Sequence, residues 1–412
     1  MKLNKIQSYL LLGLVALGQI ILLSGCGEDE GGPGQETLSD NITEDLHLVN
    51  IHDDPDIPDY LIDGFLTVTA ELTIDPDVYI AFTANSGLFI NGDGMIEAIG
   101  EEDLPIRFTG VQKTPGFWLG IKVRANDVRN QLDHVIVEYG GSDIIASYGS
   151  VDLKAGVAIE GASGSNGSLT LKNSTIQNCE GYGFLVEHGT LLRGFLNNTF
   201  SGNEEAAVRI DAENADMLDD LSTYNNNNGY DGVEINASGS PIHALTSDAD
   251  WVNLGEDVPY KIAQSFDVEA ELTIMAGATL AFDANQTMYF KQDYNGPNDG
   301  IIIAKGTSSN MITFTAVNKT PGFWRGLVVQ SNSVLNEMNY CIVEYGGSDL
   351  ITDELANIIL DKDGAYDPPV LKVTNSTIRN SAGCGIVVDN FGGSLTASGN
   401  TFSDNSGSDV CD

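Results

Sequence analysis

Basic side chains are scarce in this 412-residue chain, which holds 19 lysine and arginine residues against 59 aspartate and glutamate residues. Nucleic-acid binding depends on neutralising phosphates with lysine and arginine, so a formal net charge of −40 argues against a nucleic-acid partner. The same charge repels anionic lipid headgroups and bare polyuronate chains, unless divalent cations bridge the like charges. The composition therefore predicts no nucleic-acid partner and mildly favours association with Ca²⁺.

Histidine and cysteine are also few, with five residues of each. The histidines have no metal-ligand spacing and no Cys-x-x-Cys pair occurs, which argues against a zinc site. Cys341 stands where the matching segment of the chain has Val135, and this pattern predicts a small core residue. Cys384 and Cys411 either form a disulfide that staples the end of the chain in an oxidising envelope or remain free thiols.

Charged residues are absent between Lys5 and Glu28, and residues 9–23 form an apolar run. A positively charged start followed by such a run is typical of a secretory signal. A membrane-spanning helix needs about 20 apolar residues, which is more than this run offers. We therefore predict a signal peptide at residues 1–25.

The end of this run, Leu23-Ser-Gly-Cys26, resembles the lipobox of bacterial lipoproteins, whose cysteine is diacylated before cleavage. The resemblance implies that Cys26 becomes a lipid-bearing N-terminus that holds the protein on a membrane. Residues 26–45 open with acidic and glycine residues, so we expect a flexible acidic tether there. Acids behind the lipidated cysteine also resemble the export signal of some Gram-negative lipoproteins. We expect a cell-envelope location, in the outer membrane, on either its periplasmic or its outer face.

An internal duplication organises the rest of the chain. The matching segments of the two halves are 70–74 and 270–274, 106–120 and 312–326, 137–143 and 343–349, 173–176 and 375–378, and 198–201 and 400–403. The chain therefore comprises two homologous halves, which we place at residues 46–249 and 250–412.

Within each half, short runs of alternating apolar and polar residues are punctuated by glycine, asparagine and aspartate. Such runs predict half-buried strands, and Leu66 and Leu88 lie 22 residues apart, a plausible length for one coil of a solenoid. Asparagine-rich turns, as at 197–198, suit left-handed turn conformations that stack between coils. We predict an all-β fold, a right-handed parallel β-helix, in which residues 46–52 cap the first coil.

The succession from the strand at 70–74 through Pro-Gly-Phe-Trp at 115–118 to Val-Glu-Tyr-Gly-Gly at 137–141 resembles a family of β-helix lipoproteins. These proteins have the pectin-lyase-like fold and occur in bacterial cell envelopes. Both halves carry the succession, so the resemblance covers nearly all of the chain after the signal. It implies a right-handed parallel β-helix and an envelope location, but the family is largely uncharacterised and implies no activity.

Two sets of duplicated residues are candidates for ligand binding. Trp118 and Trp324 either present sugar-stacking platforms or pack inside the coil, and their duplication favours packing. Glu138 with Asp143, and the matching pair of Glu344 with Asp349, offer oxygen ligands for Ca²⁺ or a carboxylate pair for glycoside hydrolysis. The alternative is a turn with solvated acids, and duplication again favours it, because an active site normally occurs once.

One insertion in the second half is not duplicated. Asp293, Asn295 and Asp299 offer hard oxygen ligands on a glycine-bearing loop and are a candidate Ca²⁺ site, against the alternative of a polar turn. No other metal or cofactor is indicated.

The motifs of polygalacturonase-like hydrolases are absent, and residues 187–189 are the nearest match to Gly-His-Gly. We therefore favour a non-catalytic envelope protein that binds glycan, matrix or a partner protein, with Ca²⁺ as a possible aid. The alternative is a polysaccharide lyase or glycoside hydrolase with a divergent site. An unduplicated groove with converging acids and a lysine or arginine would favour the enzyme, and exposed aromatic rows would favour a glycan binder.

Overall fold

The computed structural model describes residues 35–148, 151–162, 165–236, 244–292, 299–351, 354–362, 367–389 and 392–412. These residues form 43 strands and a single turn of 3-10 helix at Ala215–Met217. Among them, no helix has the length and apolar character needed to cross a bilayer. The predicted signal peptide, Cys26, Asp293 and Asn295 lie outside the described residues.

Three sheets contain the strands of the first half, all paired in parallel, and the second of these sheets continues into the second half. Sheet I contains β1 (Glu36–Leu38), β3 (Tyr60–Ile62), β6 (Tyr79–Phe82), β9 (Ile106–Gly110), β12 (Val135–Glu138), β19 (Thr175–Gln177), β22 (Thr199–Ser201) and β24 (Thr223–Asn226). Sheet II contains β4 (Phe65–Val68), β7 (Gly87–Ile90), β10 (Gly120–Val123), β15 (Ala155–Ile159), β20 (Tyr182–Val186), β23 (Ala206–Ile210), β25 (Tyr230–Ile235), β27 (Tyr260–Ile262), β30 (Thr279–Phe282), β33 (Ile312–Ala316), β36 (Cys341–Glu344), β39 (Thr377–Arg379) and β42 (Thr401–Ser403). Sheet III contains β2 (Leu46–Leu48), β5 (Glu71–Ile74), β8 (Met95–Ile99), β11 (Gln131–Asp133), β18 (Ser168–Lys172) and β21 (Leu191–Leu196).

Two further parallel sheets and two short hairpins complete the described strands. Sheet IV contains β26 (Ala249–Trp251), β29 (Glu271–Ile274), β32 (Ile301–Lys305), β35 (Glu337–Asn339), β38 (Val370–Thr374) and β41 (Ser394–Ser398). Sheet V contains β28 (Phe266–Val268), β31 (Met288–Phe290), β34 (Leu327–Val329), β37 (Ala356–Leu360), β40 (Cys384–Val388) and β43 (Val410–Cys411). The hairpins pair β13 (Ala146–Tyr148) with β14 (Val151–Leu153) and β16 (Gly161–Ala162) with β17 (Ser165–Asn166).

Consecutive strands of the chain visit three sheets in turn and then return to the first, which is the arrangement of a β-solenoid. Leu66 and Leu88 are partners in register on β4 and β7, as expected for residues one coil apart. Apolar and polar residues alternate along the strands because successive side chains point to opposite faces. In β5, Leu72 and Ile74 are buried in the core, while Glu71 is half-exposed on the outer face. The expectation of an all-β, repetitive fold is confirmed.

The two halves form one continuous stack. In sheet II, β25 pairs in parallel with β27, so Val233 lies opposite Tyr260 across the boundary between the halves. The matching strands of the two halves nevertheless belong to different sheets, since β9 lies in sheet I and its counterpart β33 lies in sheet II. The second half is therefore offset from the first by one face of the solenoid.

The ordered solenoid begins earlier than the sequence suggests. Strand β1 lies within residues 26–45, which we expected to be tether, and it pairs with β3. Ile42 forms a bridge with Val68 and is buried. Ile42 belongs to the core, and Leu38 packs against it, so this part of the predicted tether is part of the first coil. Residues 46–52 include β2, a regular strand of this first coil.

Buried asparagines stack between coils, and a disulfide closes the last one. The Oδ1 atom of Asn203 accepts the N–H of Cys179 at 3.1 Å, and its Nδ2 donates to the carbonyl of Ile176 at 3.1 Å. These bonds satisfy backbone groups that the turn leaves unpaired. Cys384 and Cys411 form the disulfide, which settles the alternative that the sequence left open.

Candidate functional site

The duplicated tryptophans lie inside the solenoid. Trp118 and Trp324 are fully buried, and their rings stack on Phe82 and Phe282 with centroids 3.8 and 4.0 Å apart. Neither ring can reach a ligand, so the structure corrects the platform interpretation in favour of core packing. An aromatic ring in a regular repeat contributes most when its whole surface is removed from water, which explains this placement.

The two duplicated motifs contact each other on consecutive coils. The N–H of Phe117 donates to the carbonyl of Tyr139 at 3.0 Å, and the N–H of Ser142 donates to the carbonyl of Trp118 at 2.9 Å. The same two bonds recur at the same lengths between the matching residues of the second half. Tyr139 has a φ of 67°, and this left-handed conformation turns the chain at the corner. The motifs are therefore one structural corner, present twice.

The duplicated glutamates are nearly buried and have structural partners. The carboxylate of Glu138 accepts a hydrogen bond from the Gln177 amide at 2.9 Å. The carboxylate of Glu344 accepts one from the Thr315 hydroxyl at 2.9 Å and another from Arg379 at 2.7 Å. These bonds give both glutamates structural partners within the solenoid, which agrees with the turn interpretation that their duplication favours.

The remaining predicted ligands do not converge. Asp143 and Asp349 are exposed, and each accepts the N–H of the following residue, at 2.8 and 3.0 Å. Asp299 is half-buried, and the two residues predicted to join it lie outside the described part of the chain. Among the residues that the structure describes, no group of three or more acidic, histidine or cysteine side chains is arranged to hold a metal ion.

A different site emerges on the outer face of sheet II in the first half. Outward side chains of neighbouring strands there form two rows along the solenoid, because parallel strands in register place equivalent residues side by side. A pocket on this face is lined by Thr67, Phe89, Ile90, Asn91, Lys122 and Arg124. The inner row lies within the strands and contains Thr67, Phe89 and Lys122. The outer row lies just after the strands, where each residue follows the last core-facing strand residue, and it contains Asn91, Arg124, Glu160 and Glu187.

Two aromatic rings form a platform at the start of this site. Phe65 is 58% exposed, an unusual position for a phenylalanine, and its ring stacks on Phe89 with centroids 5.7 Å apart. The Nζ of Lys122 lies 5.4 Å from the centroid of the Phe89 ring, on the next coil. The platform thus combines an apolar face with an adjacent cation.

Two cations share one carboxylate beside the platform. The Glu160 carboxylate lies 3.0 Å from the Lys122 ammonium and accepts a hydrogen bond from Arg124 at 2.6 Å. Burial alone would raise the pKa of Glu160, but the Arg124 hydrogen bond and the Lys122 charge outweigh it and lower that pKa. Glu160 is therefore ionised at neutral pH.

The pKa of the neighbouring carboxyl group is shifted in the opposite direction. Glu187 lies beside Glu160 one coil further on, and it accepts the N–H of Gly161 at 3.2 Å. Burial, with the added charge of Glu160, raises the pKa of Glu187 to about 7. At neutral pH Glu160 is therefore ionised while Glu187 is protonated in about half of the molecules, and pKa values pushed apart in this way are common in sites of acid–base chemistry.

The outer row continues beyond the two glutamates. Asp211 is 3% exposed and lies 3.2 Å from the Nδ1 atom of His188. The hydrogen bond to this carboxylate raises the pKa of His188. His188 directly follows Glu187 in sequence, and its imidazole lies against Asp211, the residue that continues the outer row one coil beyond Glu187.

The second half matches this site only in part: Tyr289 stands at the position of Phe89, with the Nζ of Lys291 4.9 Å from its ring centroid. Val328 and Gln330 occupy the positions of Lys122 and Arg124, and Ser265 occupies that of Phe65. Val328 is fully buried. Phe65, Lys122 and Arg124 are therefore specific to the first half, and unduplicated residues are those that the sequence analysis associates with function.

Sequence reasoning missed these residues because each is ordinary by itself. Lys122 and Arg124 alternate with inward residues of β10, as exposed strand residues usually do. The available signal was a difference between the two halves. In the stretch from 106 to 143, which aligns with 312–349 without a gap, both cations are replaced by uncharged residues in the second half.

Comparison with known proteins adds no relative: no protein-family model matches the chain, and no curated protein or solved structure shows significant similarity to it.

Proposed function

We propose that this chain is a lipid-anchored protein of the bacterial cell envelope and that its fold is a right-handed parallel β-helix. In this proposal the helix binds a glycan at the site formed by the Phe65–Phe89 stack, Lys122, Arg124, Glu160 and Glu187. Right-handedness is supported by the parallel crossovers, which have that hand in about 98% of known cases. The anchor is supported by the lipobox-like sequence that ends at Cys26.

The observation that carries the proposal is the exposed Phe65–Phe89 stack beside Lys122 and Arg124. Sugar rings bind to aromatic faces through their C–H surfaces, and their hydroxyls bond to charged groups and amides at the rim. The pocket offers both elements, and its lining includes no acidic residue although the chain as a whole is strongly acidic. Lys122 and Arg124 thus provide positive groups beside the platform, next to the carboxylate of Glu160.

The direct test is a glycan array probed with the full-length protein in detergent, with Ca²⁺ and with EDTA. Binding should weaken at least tenfold in Phe65→Ser, which installs the residue found at the matching position of the second half. The control is Val334→Ser, because Val334 is 84% exposed and lies in the second half, away from β4, β7 and β10. Equal losses in both variants, or no binding of any glycan, would contradict the proposal.

Calcium and the anchor are separate parts of the proposal. Binding that persists in EDTA would remove the Ca²⁺ assistance and leave the site intact. Labelling with a radioactive fatty acid should mark the wild-type protein and not Cys26→Ser. Labelling of that variant would contradict the lipid anchor.

A further inference from the structure

We infer that Glu160 and Glu187 form a catalytic carboxylate pair that hydrolyses the glycan bound on the Phe65–Phe89 platform. This inference rests on the proposed glycan binding and adds an activity to it. The non-catalytic interpretation that the sequence favoured depended on missing motifs, and this pair belongs to none of them.

The spacing of the two residues suits one kind of glycoside hydrolysis. Each residue directly follows a core-facing strand residue, and these, Ile159 and Val186, are partners in register. Neighbouring parallel strands lie about 4.8 Å apart, so the two glutamates leave the sheet at about that separation. Hydrolases that retain the anomeric configuration hold their carboxyl groups about 5–5.5 Å apart, whereas inverting enzymes need about 6.5–9.5 Å.

The surroundings assign the two roles. Glu160 is paired with Lys122 and Arg124, which keep it ionised and suit it to act as the nucleophile. Glu187 has no cation among its hydrogen-bond partners, accepts only a backbone N–H among the bonds that the structure describes, and is partly buried against the charge of Glu160. Its carboxyl group retains a proton that it can donate.

The reaction then balances with water as the second reactant. A Glu160 oxygen forms a bond to the anomeric carbon as the glycosidic C–O bond breaks, and Glu187 gives its proton to the leaving oxygen. In the second step Glu187, now a carboxylate, takes a proton from water while the water oxygen bonds to the anomeric carbon. Glu160 leaves as a carboxylate, and both residues return to their starting states with one water consumed.

The second half shows that the fold does not need this arrangement. The matching acids, Asp361 and Asp389, are shorter by one methylene, and the amide of Gln330 donates to Asp361 at 2.6 Å where the first half has a cation. A coil can therefore be built at this position with an aspartate and a glutamine in place of Glu160 and Arg124. The pair in the first half has a property beyond its contribution to the fold.

The test uses the full-length protein in detergent and those polysaccharides that bind in the array. We expect reducing ends to appear with the wild-type protein and to fall by roughly 100-fold or more in Glu160→Gln and in Glu187→Gln. Asp389→Asn is the matched control and should hydrolyse at the wild-type rate. Retained array binding and an unchanged circular dichroism spectrum would establish that the variants are folded.

Two further measurements separate the roles. With an activated aryl glycoside, sodium azide should give a glycosyl azide of retained configuration in Glu187→Ala, because azide attacks the glycosyl-enzyme, and of inverted configuration in Glu160→Ala, because azide displaces the leaving group directly. Proton NMR of the first product should show the anomeric configuration of the substrate. Inversion, or an unsaturated product that absorbs near 235 nm, would overturn the assignment.

Failure of this inference is distinguishable from failure of the proposed function. Binding with no release of reducing ends would overturn hydrolysis and leave the glycan-binding site standing. Absence of binding to every polysaccharide would overturn both.

Discussion

Glu138 and Glu344 are equivalent in sequence, yet Glu138 lies in sheet I and Glu344 lies in sheet II, in the same row of side chains as Lys122. The duplication was followed by an offset of one face, so matching side chains do not point in matching directions. The repeated motifs therefore cannot form a symmetric pair of sites on one surface. Their repetition reflects the corner that they build.

The junction between the halves depends on a buried ion-pair cluster. Glu234 on β25 pairs with Arg209 on β23 and lies 3.2 Å from Lys261 on β27, and Tyr182 donates a hydrogen bond to it at 3.1 Å. Glu234→Gln removes the buried carboxylate that Arg209 and Lys261 share, so we expect the free energy of unfolding to fall by about 3 kcal/mol. Urea denaturation followed by circular dichroism measures this change.

A peripheral residue provides the control for the junction. Asp283 lies 3.4 Å from Lys261 but its side chain is 34% exposed. Asp283→Asn should therefore cost less than about 1 kcal/mol. A comparable loss in both variants would show that Glu234 has no special role at the junction.

The core tryptophans should respond equally to substitution. The indole N–H of Trp118 donates to the Glu138 carbonyl at 2.8 Å, and that of Trp324 donates to the Glu344 carbonyl at 2.8 Å. Replacing either with phenylalanine leaves a buried carbonyl unpaired, at a cost of roughly 2 kcal/mol measured by thermal or urea denaturation. Glycan binding should be unchanged in Trp118→Phe; its loss at full stability would restore the platform interpretation.

The pH dependence of stability should carry the signature of Glu187. Its pKa is raised from 4.5 to about 7 in the folded protein, so folding favours the protonated form. The resulting contribution to stability is complete below pH 4.5 and disappears as the pH rises through about 7. Glu187→Gln stays neutral, and relative to wild type it should gain roughly 2 kcal/mol between pH 5 and pH 8, after allowance for solvent screening.

The neighbouring glutamate should show the opposite sign. The pKa of Glu160 is lowered in the folded protein, so its contribution is present at neutral pH and is lost as the pH falls through that lowered pKa. Glu160→Gln should therefore lose stability relative to wild type at neutral pH and approach it in acid. Parallel curves for the two variants would refute the opposed protonation states.

Reduction should loosen the last coil and leave the rest of the solenoid folded. The Cys384–Cys411 disulfide joins β40 to β43 across 27 residues. Its loss in Cys411→Ser should cost about 3 kcal/mol and accelerate amide hydrogen exchange in β42 and β43. Cys341 supplies the control, since burial raises its thiol pKa to about 12 and it should resist alkylation until the protein unfolds. Uniform acceleration along the chain would contradict a local effect.

The sequence was a good guide to the repeating architecture. The 22-residue interval from Leu66 to Leu88 corresponds to one coil because the inward positions of successive coils must stack on each other. It could not show the offset between halves, because that offset depends on β25 pairing with β27, and pairing partners are a tertiary property. The sequence also placed the start of the first coil too late. An isolated apolar residue such as Ile42 has no local pattern that identifies it as a core residue, and its role depends on its bridge to Val68.

The site was harder to anticipate than the fold. Single exposed residues such as Lys122 and Glu187 have no local pattern, and they lie 65 positions apart in sequence. Only the register of sheet II brings them to neighbouring rows. Trp118, Glu138, Asp143 and their counterparts were drawn from repeated motifs, whose repetition favours packing, and the remaining candidates came from the insertion at 293–299. A comparison of charged residues between the two halves would have indicated the coil that carries Lys122 and Arg124.

The position of the pocket along sheet II determines what it can reach. Its residues lie on and just after β4, β7 and β10, the first three of thirteen strands. At about 4.8 Å per strand the sheet is roughly 60 Å long, and the pocket occupies roughly its first 10 Å. Under the proposed lipid anchor, Cys26 precedes β1 by only ten residues, so the site would lie near the lipid surface and the disulfide-closed end would lie farther from it. Such a protein would meet polymers at their membrane-proximal segments, and lengthening the tether would extend its range.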